Sequence, residues 1–308
     1  MSVICTLFEG NYHYGVGALV NSLCVQGFCG EIYAGYRGPL PPWAEVRVRQ
    51  NGSGTIFDVS ERCRIHFMPL DTPLHLNNFK PHFLLRLMNE QCPDDSSFFY
   101  FDPDIVLRAR WDFFEHWVSH GIALCEDVNH HLPRQHPVRL AWKDYAIEHG
   151  FTIRQELEKF YNGGFIGVRR EHKDFLETWK QLFESRAAES IDLSRFELSG
   201  FEYPYLLLDQ DLMNLALMLV PHPITAVGPE GMDFQPGGYV MSHSAGNTKS
   251  WRKRFVIEAL RGRAPSLADK KFLEYTQSPI QLYSPRELAT RRLGVKVGSA
   301  IGRFYRRR

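Results

Sequence analysis

The chain has 308 residues, 44% hydrophobic, 13% aromatic and 23% charged, a profile that excludes intrinsic disorder, collagen-like repeats and a coiled coil. A chain this long buries roughly three quarters of its unfolded surface, so it needs no disulfide or metal staple to fold. Net charge is +1, so no global field attracts nucleic acid, but Arg286–Arg308 carries eight Lys/Arg against Glu287 alone.

Val3–Phe8 reads as a first buried strand, followed by a helix over Gly17–Gln26 that stops at Gly27. Glu31–Tyr36 and Arg64–Met68 read as the next strands, with a Gly/Pro-rich loop after the first of them. Pro81 suits a first helical turn running to about Asn89. Aromatic Ser97–Phe101, then Gly121–Glu126 and Gly164–Val168, read as further strands. Glu171–Arg186 is the clearest helix, with Phe175, Leu176, Trp179, Leu182 and Phe183 on one face. Asp211–Leu219 reads as a buried helix and Gly238–Ser242 as a short strand. The alternation predicts an α/β layer structure: one domain over residues 1–261 and a C-terminal extension over 262–308.

Cys5, Cys24, Cys29, Cys63, Cys92 and Cys125 form no CxxC pair, which predicts buried free thiols rather than a zinc site. The N-terminus has no basic n-region, so no signal peptide is expected. The apolar run over 212–228 is broken by Asn214, Pro221 and Pro223, so it predicts no membrane span. The expected compartment is the cytoplasm.

Four constellations carry chemistry. Phe98–Phe101 delivers Asp102-Pro103-Asp104, two carboxylates at the C-terminal end of a buried strand, where open α/β sheets bind ligands. Hard oxygen donors there suit Mg²⁺ or Mn²⁺, although Asp-Pro-Asp is also good turn chemistry. A haloacid-dehalogenase phosphatase would need a hydroxyl soon after its DxD, and Ile105-Val106-Leu107 supplies none. His243 offers a further ligand, and Gly246 and Lys249 suit a phosphate. Asp209-Gln210-Asp211 opens a helix, where an acidic first turn is also plain capping. Asn162-Gly163-Gly164 reads as a turn into a strand.

The order of these four, with HxxGxxKxW at 243–251 and DQDxxN at 209–214, resembles the GT-A glycosyltransferases. It is closest to the retaining family 8 group, glycogenin- and lipopolysaccharide-galactosyltransferase-like, over residues 3 to 255. The resemblance implies a Rossmann-like mixed sheet flanked by helices. It further implies a metal-dependent hexosyltransferase using a nucleotide-diphosphate sugar, a UDP-sugar first, on a glycan or lipid-linked glycan acceptor in surface polysaccharide or lipopolysaccharide synthesis. Carried over by matching position, Asp102, Asp104 and His243 bind Mn²⁺ or Mg²⁺. Thr6, Phe8 and Tyr12 hold the base, and Lys80 and Arg86 touch the nucleotide sugar. Pro103, between the two metal ligands, Gly246 and Lys249 belong to the cofactor site. Asp127, Asn162, Asp209 and Gln210 contact the donor sugar, the last two facing the oxocarbenium-like carbon. Two positions depart from the pattern: the middle DxD residue is Pro103, and Ser250 stands where a proline is usual.

Retention by front-face attack is the preferred chemistry. An inverting enzyme would need a free carboxylate base, with Glu126, Glu202 or Asp233 as candidates, and a non-catalytic sugar-nucleotide-binding protein is the other alternative. In the tail, Leu293, Val297, Ala300/Ile301 and Phe304 recur at helical spacing among Arg and Lys. Such a basic amphipathic helix is expected to lie peripherally on an anionic membrane. Gly294, Gly298 and Gly302 equally suit close packing on the body, and a solvated, disordered end is the third reading.

Overall fold

The computed structural model describes residues 1–45, 48–51, 54–195 and 207–305. The chain runs β1 (Ser2–Glu9), α1 (His13–Val25), β2 (Gly30–Arg37), β3 (Val48–Asn51), β4 (Gly54–Ser60), β5 (Cys63–Pro69), α2 (Lys80–Arg86) and β6 (Ser97–Phe101). It continues through β7 (Ile105–Leu107), α3 (Trp111–Val118), β8 (Ile122–Glu126), α4 (Pro137–Glu148), β9 (Tyr161–Arg169), α5 (Lys173–Ala188) and α6 (Leu208–Leu219). β10 (Ile224–Val227), β11 (Met241–His243), α7 (Phe255–Leu260), α8 (Leu267–Glu274) and α9 (Pro285–Phe304) complete it.

Among the described residues, nine strands form one mixed sheet in the order β10-β8-β9-β6-β1-β2-β5-β4-β3. β1 pairs in parallel with β2 on one side and β6 on the other. The chain therefore reverses its direction of travel across the sheet at β1, leaving a crevice beyond the strand ends. Alternating side chains of β1 serve two cores. Val3, Cys5 and Leu7 meet α2, α4, α5 and α6, whereas Ile4 and Phe8 meet α1, α3 and the helices after residue 254.

The expected strands and the α5 stripe are present, and all five stripe residues are buried. Gly27 ends α1 with positive φ, and Phe28 N–H donates to Leu23 O across it, the geometry that favours glycine at that position. Several expectations need correcting. The edge hairpin β3–β4 carries polar residues at a half-exposed margin, and its periodicity was too weak to read. α3 and α4 are two further helices beyond those the sequence pattern predicts. Gly238–Ser242 is strand only from Met241 and reaches His243. Asn162-Gly163-Gly164 is not a turn: β9 starts at Tyr161, and all three residues are buried. Of the six free cysteines, Cys24 is half-buried and Cys29 exposed.

The segment after residue 261 packs on the body. Asn21 Nδ2 donates to Tyr275 O and Ile280 O, both at 2.8 Å, and Tyr14 stacks on Tyr283. α9 packs on α7 and on the segment that follows it, burying Leu288, Val295, Gly298 and Gly302. A Cβ on Gly302 would sit 2.3 Å from that of Ala264, and one on Gly298 would sit 2.9 Å from Phe255 O. The glycine repeat thus serves packing, not disorder, through Tyr305; Arg306–Arg308 lie outside the described residues. Among the described residues no helix is long and apolar enough to cross a membrane.

Candidate active site

The strand ends at the switch point build the site. β6 is buried along its whole length and ends at Phe101, so Asp102 follows at its C-terminal end. The turn is closed by Ile105 N–H donating to Asp102 O, and β9 supports it through Asp102 N–H donating to Gly164 O. β7 then pairs antiparallel with β11, setting His243 opposite Ile105 and so beside Asp104. On the other flank, β8 and β9 slip register between Leu124 and Cys125, which face Ile166 and Asn162. The intervening residues 163–165 bulge, and the bulge turns the Asn-Gly-Gly segment toward the crevice.

Two cation-centred clusters meet there. Lys80 Nζ, 1% exposed, lies 3.1 Å from Asp209 Oδ2, 3.3 Å from Asp102 Oδ1 and 3.0 Å from Gly163 O. Tyr100, on β6 two residues before Asp102, donates its hydroxyl to Asp102 Oδ1 at 2.9 Å. In the second cluster His243 Nε2 is 3.2 Å and Lys249 Nζ 2.6 Å from the Asp104 carboxylate. Burial alone would lift the Asp104 carboxyl, but His243 and Lys249 outweigh it and hold it well below the usual carboxylate range. Burial likewise works against charge on Lys80 and Lys249, yet Asp102 with Asp209, and Asp104, overcome it and raise both ammonium pKa values. Desolvation, then Asp102, pushes Tyr100 well up, so it remains a donor.

Donor-sugar candidates form a connected set. Asp127 accepts from Asn162 Nδ2 at 2.8 Å and from Asn129 N–H. Gln210 Oε1 accepts from Gly163 N–H at 3.0 Å, leaving its buried Nε2 without a partner among the described residues. Asp209 and Gln210 sit in the first turn of α6, which begins at Leu208 rather than Asp211; Asp211 is the residue that reaches back to Leu207 N–H.

Phe8, Tyr12, Lys80, Asp102, Pro103, Asp104, Asp127, Asn162, Asp209, Gln210, His243, Gly246 and Lys249 all line one cleft of about 570 Å³, within the range of ligand sites. Thr6 and Arg86 do not. Thr6 is fully buried in mid-strand, and Arg86 points away, 3.4 Å from exposed Glu90. Glu9, at the end of β1, and the loop residues His75, Asn77, Asn129 and Asn247 also line the cleft; they are single polar residues, with no spacing to betray them. Of the carboxylates considered as bases, Glu126 pairs with Lys159 at 3.1 Å, and Asp233 is bound by Arg108 and Ser242. Glu202 lies outside the described residues.

The site fits a divalent cation. Asp102, Asp104 and His243 can each offer one ligand atom, all within 4.8 Å of one another, a hard-oxygen and imidazole set suited to Mn²⁺ or Mg²⁺. Gly164 keeps the space open: a Cβ there would lie 2.8 Å from His243 Cε1 and 3.0 Å from Asp102 Oδ2.

Sheet order, switch point and the acid–histidine cluster at the end of β6 define a GT-A fold. The solved structure of the galactosyltransferase LgtC, in complex with donor and acceptor sugar analogs, aligns with TM-score 0.54 at 16% identity, over 94% of this chain and 100% of that one. An active-site mutant of LgtC aligns with TM-score 0.52 at 15% identity and the same coverage. No family profile and no curated protein sequence matches the chain.

Proposed function

We propose that this protein is a metal-dependent glycosyltransferase that moves a sugar from a nucleotide-diphosphate donor, a UDP-sugar first, to a glycan or lipid-linked acceptor. The carrying observation is the cluster of Asp102, Asp104, His243 and Lys249 in one cleft with Asp127, Asn162, Asp209 and Gln210. A divalent cation held by Asp102, Asp104 and His243 would supply charge neutralisation for the departing diphosphate. Lys249 adds a fixed positive charge at the same place, and Gly246 leaves room for backbone N–H groups to approach the phosphates. Phe8 and Tyr12 form the aromatic wall for the base. Asp127 and Asn162 orient the sugar, while the Gln210 amide and Asp209 face the carbon that gains positive charge.

Retention is the favoured outcome. Asp209 is tied to Lys80, Asp127 to Asn162 and backbone N–H groups, and Asp233 to Arg108, so none is free to act as the base of an inverting reaction. In front-face attack the leaving phosphate takes the acceptor proton and no protein base is needed. Residues 1–261 would carry the chemistry, and residues 262–308 would brace it and face an anionic cytoplasmic membrane surface, where lipid-linked acceptors for surface polysaccharide are assembled.

Thermal-shift titration with nucleotide sugars, with and without Mn²⁺, tests the reading. A true donor at a hundredfold excess over its Kd stabilises by about 2.7 kcal/mol, and only with metal present. Asp104→Asn should abolish both the metal-dependent shift and sugar transfer. Transfer that persists in chelator or in that variant would overturn the metal assignment.

A further inference from the structure

A second cavity, of about 730 Å³, lies between α7 and the first half of α9. Arg252, Lys253, Arg254, Arg286 and Arg291 line it, against one carboxylate, Glu287. Lys253 is held by Asp269 at 2.8 Å, and Glu287 engages its own helix cap, Ser284. Arg252 donates to the Asn11 amide oxygen, and Arg291 lies over the Tyr283 ring at 4.4 Å. None of the four arginines is ion-paired with a carboxylate among the described residues. The cavity wall between them is apolar, from Phe255, Val256 and Ile257.

The groove continues into an unusual face of α9. Because the helix packs through Leu288, Val295 and its glycines, Leu293, Val297 and Phe304 are left 61%, 39% and 91% exposed. Arg286, Thr290, Leu293, Val297 and Phe304 follow one another at three-, four- and seven-residue steps, so they share a side of the helix. Along roughly 27 Å of helix, the positive groove thus opens at one end of an exposed apolar stripe.

We propose that this groove binds the phosphate head of a phosphorylated lipid, whose chain lies along the Leu293–Val297–Phe304 stripe. Guanidinium groups suit phosphate through paired N–H donors, and the stripe supplies the apolar partner that a free anion would not use. The inference deepens the lipid-linked acceptor part of the proposed function, and rests on that reading for its link to catalysis. Arg252 lies three residues beyond Lys249, at most about 11 Å of chain, so the groove and the donor cleft are neighbours.

Calorimetric titration of the full chain in EDTA with farnesyl diphosphate, against inorganic diphosphate, tests it. Farnesyl diphosphate should bind, and inorganic diphosphate at least tenfold more weakly. Arg254→Gln with Arg286→Gln should weaken farnesyl diphosphate about 30-fold, and Leu293→Ser with Val297→Ser should weaken it without affecting inorganic diphosphate. No binding of farnesyl diphosphate, equal affinity for both probes, or indifference to the arginine pair would overturn the proposal. UDP-sugar binding with Mn²⁺ is measured on the same proteins. If it is absent from the wild type while farnesyl diphosphate still binds through the arginines, the donor reading fails and the groove stands.

Discussion

Lys80→Met tests the electrostatic keystone of the cleft. Methionine keeps much of the side-chain volume but removes the charge that faces Asp102, Asp209 and Gly163 O. Lys80 and Asp209 are 1% and 6% exposed, so Asp209 is left as a buried carboxylate without its cation. Breaking such a pair from one side costs about 3–5 kcal/mol. With a urea slope of roughly 3 kcal/mol per molar for a chain of this size, the unfolding midpoint should fall by about 1–1.7 M. The pH dependence follows from the same contacts. Burial opposes the Lys80 charge, but Asp102 and Asp209 outweigh it and raise its folded pKa above the free value. The Lys80 contribution is therefore complete below about pH 10 and is lost only as pH rises through the raised folded value. The deficit should therefore be the same at about pH 7 and about pH 9, and urea titrations followed by circular dichroism at both values read this directly. A midpoint within about 0.3 M of wild type at about pH 7, or a deficit that differs between the two values, would refute the ion-pair argument.

Gly164→Ala should place a methyl group among His243, Asn162 and Asp102 and weaken Mn²⁺ affinity about 10–100-fold, read by metal titration of a protein that remains folded. Gln210→Ala should lower kcat far more than it changes donor KM if its amide nitrogen, without a partner among the described residues, faces the reacting sugar as proposed; a change in KM alone would make it a ground-state contact. Ser250→Ala should cost about 1–3 kcal/mol in urea unfolding, since the Ser250 hydroxyl lies 2.9 Å from that of Ser244 and 2.8 Å from Asp269, both buried.

That last network shows where sequence reading stopped. Ser250 was legible only as a departure from a proline; its purpose, joining the His243–Lys249 loop to the cap of α8, depends on Asp269 arriving from the extension. Local pattern did determine the elements whose chemistry is local. The α5 stripe, the buried β6 strand with its terminal carboxylates, and the glycine stop of α1 each follow from periodicity or backbone preference within a few residues. Order along the chain, matched to a known group, further picked out the residues that converge on the cleft. Two residues matched by position lie off the cleft, because position in a motif does not state which way a side chain faces: Thr6 is buried in the core and Arg86 lies beside Glu90. The Asn-Gly-Gly segment misled for a related reason. It carries turn chemistry, but a bulge between β8 and β9 absorbs it into a strand, and that bulge exists only when both strands are present. The pairing of Lys80 with Asp209, of His243 with Asp104, and the burial of the α9 glycines all join residues far apart in sequence. Only the fold can bring such groups within 4 Å, because their contact energies arise from desolvation and neighbouring charge that no single segment contains.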